Sequence, residues 1–202
     1  MTGAPRHEDA LEHVVVCGGT PGEWAAMSSR EWSERFATIA LGVGPVGARG
    51  VTLFPHHGEP LDGPGLAAFA ATLGSTGKVE QVDGTGPARW VWRRDDGLTV
   101  CVDPSPDGHV RFAAVVEGMR RAGTTVTDGS LARCLLHPVE SEPDLALILG
   151  PPDTVPTSLV WELAYAELVF LDIGWSSLQA GHLEMAVDDF NRRHRRFGGL
   201  DS

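Results

Sequence analysis

No apolar run in this chain of 202 residues approaches the length of about 18 needed to cross a bilayer. The best candidates, LALIL at 145–149 and LVFLDIGW at 168–175, are the length of strands. The first dozen residues are polar and acidic and have no basic stretch leading into an apolar one, so no secretory leader is expected. The three cysteines, Cys17, Cys101 and Cys134, are far apart, odd in number and without a CxxC pair. They read as reduced thiols of a cytoplasmic protein, with peripheral membrane contact left open. Positive charge is scarce: 16 Lys and Arg stand against 27 Asp and Glu, a formal net charge of −11. Such a surface repels phosphate backbones at long range and argues against nucleic acid as the main partner. Between Ala122 and Arg192 the only Lys or Arg is Arg133.

What is present is globular. The chain is 42% hydrophobic and 21% charged, enough for one sizeable core, and it shows neither repeat nor low-complexity linker. We expect a polar N-terminal segment over 1–12 and one domain over 13–202. His13 to Cys17 is a β-branched run closed by Gly18-Gly19-Thr20-Pro21-Gly22, the pattern of a buried strand and tight loop. Ser28 and Glu31 then offer a helix cap before Trp32, Phe36, Ile39, Ala40 and Val43 recur at helical spacing. Val51 to Phe54 reads as a second strand, and Gly65 to Leu73 as a short helix. Lys78–Val82, Ala88–Arg93 and Leu98–Asp103 read as three strands joined by tight turns. Helices are expected over Val110–Ala122, Asp128–Leu136, Thr157–Leu168 and Leu178–Arg196, with a fully apolar strand at Leu145–Leu149. Continuous apolar strands between amphipathic helices predict an α/β fold whose central, mostly parallel sheet is flanked by helices.

The last sixty or so residues carry a specific pattern. Pro143-Asp144-Leu145, then the run from Ser158 through Trp161, Tyr165 and Glu167 to Phe170, then Trp175, then Arg195-Arg196-Phe197-Gly198-Gly199 follow in order. This resembles the C-terminal third of undecaprenyl diphosphate synthases and other cis-prenyltransferases, which read PDLLIRT, RxSxFLLWQxAYxExxF, a tryptophan and RRFGG. The N-terminal match is weaker: His13 and its strand lead to Gly19-Thr20-Pro21-Gly22-Glu23-Trp24-Ala25 where the family has DGNxRWA. Leu53 to Pro60 stands against LTLYAFSxEN, and Pro106 to Arg111 falls near NYGGR. The middle, Pro60 to Gly97, is shorter than the family norm. The resemblance implies the cis-prenyltransferase fold and condensation of isopentenyl diphosphate with an allylic diphosphate, aided by Mg²⁺.

The departures fall on the groups that would neutralise a diphosphate leaving group. Gly19 stands at the Mg²⁺-holding aspartate, and Pro21 and Glu23 at the asparagine and arginine of the same motif. Ile148 and Thr154 take the two arginine positions of IRTxGExRxS, and Pro156 takes its serine. No catalytic residue and no metal of its own is therefore expected, since guanidinium forks are hard to replace for phosphate. Glu167 keeps the family glutamate, a candidate metal or interface group, and Arg196 and Gly198 keep the RxG tail. The resemblance implies that this tail crosses a dimer interface to hold the diphosphate and Mg²⁺ of the neighbouring subunit. Trp161, Tyr165, Phe170 and Trp175 are candidate interface residues.

Plainer roles stand beside these. The Gly18–Gly22 loop is either vestigial or a weak anion cradle, Cys17 a small buried residue sooner than a nucleophile, and His56-His57 with Glu59 a poor shared metal site because neighbours on a strand face opposite ways. Glu167 could cap or pair, and the basic run around His194 could be a solvated helix end. Two functions result: a non-catalytic accessory subunit that pairs with a catalytically complete homologue and needs Mg²⁺ only in that partner's site, or a divergent stand-alone prenyltransferase or terpenoid-modifying enzyme handling a short allylic diphosphate. A homodimeric pseudoenzyme that only binds protein is a third.

Overall fold

The computed structural model describes residues 11–197; the segment before Leu11 and the residues after Phe197 lie outside the description. Seven strands form one sheet in the order β3-β4-β5-β2-β1-β6-β7. Strand β1 (His13–Cys17) lies between β2 (Gly50–Phe54) and β6 (Leu145–Leu149), parallel to both. Strand β5 (Thr99–Val102) extends the parallel set beside β2, and β7 (Glu167–Leu171) extends it beside β6. The other edge is antiparallel, with β4 (Arg89–Arg93) on β5 and β3 (Val79–Val82) on β4. The expected mostly parallel sheet is what the chain builds.

The inner strands are buried on both faces, which is why they read as unbroken apolar runs. Val14 and Val16 point into the larger core, Val15 and Cys17 into a second one with Phe54, Ala146, Ile148 and Leu159. The larger core is covered by α1 (Pro21–Ala26), α2 (Ser29–Val43), α3 (Gly63–Gly74) and α6 (Ala180–Phe197). On the opposite side α4 (Gly108–Arg121) and α5 (Asp128–Leu136) pack on each other through Val115, Met119, Leu131 and Leu135.

Two local readings need correcting. The helix expected over Thr157–Leu168 is a single 3₁₀ turn, Glu162–Ala164, after which the chain extends into β7. Leu168, Val169, Phe170 and Leu171 each pair with a residue of β6, and ladder pairing of an apolar, partly branched run outweighs the helical spacing of Trp161 and Tyr165. Helix α1 was not anticipated as a separate element. Its start is written in the sequence, because Thr20 and Glu23 form a capping box with Pro21 at the first helical position. Ser28 and Glu31 cap α2 in the same way.

Candidate functional site

In parallel sheets ligands bind beyond the C-terminal ends of the strands. Here that edge brings together the Gly18–Thr20 loop after β1, the His56–Gly58 loop after β2 and the segment after β6. Gly19 has φ +70°, and a side chain there would meet Trp175 Cβ at 2.9 Å and Trp24 Nε1 at 3.1 Å. The place beside Gly19 is thus filled by two indoles. Trp24 Nε1 donates to the Gly18 carbonyl (3.1 Å). Trp24, Trp32 and Trp175 lie within 5.2–6.3 Å of one another, centroid to centroid, and Trp32 also meets Phe36 and Phe69. Such pairs add about 0.5–1.5 kcal/mol each beyond burial of area.

The other positions at the family's phosphate groups are likewise occupied by structure. Pro21 opens α1, and Glu23 is exposed with its carboxylate accepting from Thr20 N at 2.8 Å, so it closes a helix cap. Ile148 is fully buried in the second core, where a guanidinium would sit among Val15, Cys17 and Leu159. Thr154 is exposed, 3.3 Å from Asp153 Oδ1, and Pro156 is buried. Glu167 begins β7, half-buried, with Arg193 of α6 at 3.9 Å. A residue without a side chain, a capping glutamate and an ion-paired glutamate do not make a divalent-cation site, and no cluster of three metal-capable side chains occurs among the described residues. The residues present therefore do not fit Mg²⁺ in this chain's own site. The Arg196 side chain and Gly198 lie outside the described part of the chain.

Trp175, expected at an interface, is 4% exposed within the chain; it packs on Trp24 and lies under Arg35, whose guanidinium carbon is 4.5 Å from the ring centroid. A side chain so enclosed has almost no surface to offer a partner. Tyr165 is 49% exposed and packs at 5.4 Å, ring tilted, on the half-buried Trp161, while Phe170 is half-buried on the edge strand. Cys17 is buried and its thiol is pushed up to about 12 by that burial, so it is no nucleophile at neutral pH. His56 and His57 lie past the end of β2 on a bend; they do not face opposite ways, and their Nδ1 atoms meet at 3.1 Å.

The polar centre that sequence reasoning missed lies on the other side of the sheet. Arg89, Asp103, Arg111 and Glu162 are all buried and joined: Arg89 Nε donates to Asp103 at 2.8 Å, and Arg111 Nη2 donates to both Glu162 oxygens at 2.8 and 2.9 Å. Arg111 Nη1 stands 4.0 Å from Asp103, and its guanidinium covers the Phe54 ring at 4.2 Å. Burial opposes ionisation of Asp103, but Arg89 and Arg111 outweigh it and hold the carboxyl below its usual range. Two cations and two anions leave no net charge. The signal available in the sequence was Glu162, an acid at the glutamine position of the family's WQxAY, which calls for a buried cation nearby.

A family model described as "Putative undecaprenyl diphosphate synthase" matches residues 106–198. A ditrans,polycis-undecaprenyl-diphosphate synthase from Lactiplantibacillus plantarum is 33% identical over 44% of this chain and 39% of its own length. Isoprenyl transferase 2 from Bradyrhizobium diazoefficiens is 40% identical over 43% of this chain and 34% of its own. Just under half of the chain, residues 106–198, is thus similar to the undecaprenyl diphosphate synthases. A solved structure of a probable undecaprenyl diphosphate synthase from Campylobacter jejuni agrees in fold, with a TM-score of 0.58 over 93% of this chain and 98% of that one at 14% identity. In sequence, the chain spans between a third and a half of the curated proteins it matches, reaching 48% of the length of the isoprenyl transferase of Neisseria gonorrhoeae at 30% identity.

Proposed function

We propose that this chain is a non-catalytic accessory subunit of a heterodimeric cis-prenyltransferase. Its partner condenses isopentenyl diphosphate with an allylic diphosphate, and this chain donates Arg196 and Gly198 to the partner's site. The observation that carries the reading is the filled space beside Gly19, where Trp24 and Trp175 stand in place of a cation-holding group. A departing diphosphate needs cations or oriented donors aimed at it, and an apolar indole wall supplies neither. Glu23 adds negative charge to the same edge.

The docking surface we assign is β7 with Tyr165 and Trp161. Strand β7 is the sheet's outer strand, its run ELVFL half-buried along its length, and an apolar edge of this kind is a template for a second chain. Any Mg²⁺ belongs to the partner. No helix among the described residues is long and apolar enough to cross a membrane, which suits the cytoplasmic setting we propose.

Co-expression with a homologue carrying DGNxRWA is expected to give a heterodimer active with Mg²⁺. Arg196→Ala should lower kcat of that complex by roughly 10²-fold, the usual effect of removing one donor at a developing anion, without dissociating it. Full activity of the mutant complex would remove the donated arginine from the account, and failure to form a heterodimer would remove the subunit role.

A further inference from the structure

Arg35 stands apart from the other buried arginines. It is 8% exposed, and whereas Arg89 and Arg111 each pair with an acid, no ion pair holds Arg35 among the described residues. Burial alone acts on its guanidinium and holds it below its ordinary value. A cation taken out of water without a counter-ion is costly, so its use here must be geometric. The fork spans two main-chain oxygens: Nη1 donates to the Leu178 carbonyl and Nη2 to the Trp175 carbonyl, both at 2.8 Å, while the guanidinium carbon lies 4.5 Å from the Trp175 ring centroid. One side chain thereby grips the 3₁₀ turn Trp175–Ser177 and the residue after it. An ammonium on a flexible stem cannot copy a planar fork across two acceptors.

That turn is the base of α6. Further along α2, a side chain at Gly42 would meet Leu183 Cβ at 2.5 Å and the Ala180 carbonyl at 2.8 Å, so α2 and the start of α6 approach too closely for any residue but glycine. Leu183, Ala186, Val187 and Phe190 carry the contact into the core, but the buried stripe ends at Phe190 among the described residues, and Arg192 and Arg193 are exposed. The direction in which the last turns leave the core is therefore set at the base. The rise from Ala180 to Arg196 is about 24 Å, so a tilt of about 5° at the base moves the far end by about 2 Å. A displacement of about 1 Å is enough to cost about 10²-fold at a positioned catalytic group.

We infer that Arg35 is a positioning residue for the donated Arg196: it locks the turn before α6 and so aims the tail into the partner's site. This rests on the accessory role proposed above. Arg35 touches no substrate; it acts through α6, and the reaction in the partner's site reads it out.

The test is a double-mutant cycle in the heterodimer with a homologue carrying DGNxRWA, supplied with farnesyl diphosphate, isopentenyl diphosphate and Mg²⁺, with kcat expressed per intact heterodimer. Arg35→Ala is expected to lower kcat roughly tenfold or more, within the factor expected of Arg196→Ala, and to leave KM for both diphosphates within about twofold. An arginine that served folding alone would lower the yield or the urea midpoint of the complex but not its turnover. In the Arg196→Ala background Arg35→Ala should cost nothing further, because both changes remove the same donor. Arg35→Lys keeps the charge and one donor and should fall between wild type and Arg35→Ala; it carries the test if the alanine variant does not fold. Full kcat in both Arg35 variants beside a depressed Arg196→Ala overturns this inference and leaves the accessory role standing. So does an equal loss on Arg35→Ala with Arg196 already removed. An undiminished Arg196→Ala, or no heterodimer, overturns the donated arginine or the subunit role itself, and the positioning role with it.

Discussion

Beside Gly19 the chain buries indole, and beneath α4 it buries charge. Trp24 and Trp175 take the space that a side chain at position 19 would occupy, whereas the second place holds two arginines and two acids next to an open cavity. Scarcity of cations alone does not explain the contrast. Arg89 and Arg111 are present, but Asp103 and Glu162 turn them inward, so their charge serves the core instead of a substrate. Arginine-rich chemistry depends on which way the forks point as much as on how many there are.

The comparison can be broken first at the indole side. Trp175→Ala removes a core aromatic and the face that Arg35 covers, and should cost about 3–5 kcal/mol in urea unfolding. A loss within about 0.5 kcal/mol, the range of ordinary surface changes, would mean that the indole cluster is not structural. At the charged side, Glu162→Gln keeps shape but weakens the Arg111 contact, with an expected loss of about 1.5–3 kcal/mol, typical of hydrogen bonds to charged groups. Equal or greater stability of Glu162→Gln would show that the buried ions do not hold α4 in place.

Acidification gives a smaller and graded effect. Burial holds the imidazoles of His13 and His56 below the ordinary value of 6.5, with His57 adding to the effect on His56. The fold keeps them neutral, so the unfolded chain takes up more protons; stability is complete above pH 6.5 and falls as pH drops below it. Urea midpoints should therefore fall between about pH 7.5 and 5.5, and His13→Asn should flatten that fall. A midpoint indifferent to pH in both proteins would contradict the assignment. Smallest of all, disrupting the exposed Arg30–Glu34 pair with Arg30→Ala should leave the midpoint unmoved.

Much of this was legible in the residues. Buried parallel strands announce themselves by unbroken runs such as VVV at 14–16 and LALIL at 145–149, and capped helices by Ser28 with Glu31 and by Asp128 onward. Strand β7 was not legible, because ELVFL is too short to choose between helix and strand until β6 is beside it. The empty role of the Gly19 position could be read from the missing aspartate, but not that Trp175, far along the chain, comes to fill it. The ion cluster escaped for the same reason: its members come from β4, the loop after β5, α4 and the turn before β7, and only folding makes them neighbours.

The most direct test uses the isolated polypeptide, supplied with farnesyl diphosphate, labelled isopentenyl diphosphate and Mg²⁺, and followed for chain elongation. An indole-filled pocket predicts no elongated product from this chain alone. A metal-dependent product formed without any second protein would contradict it.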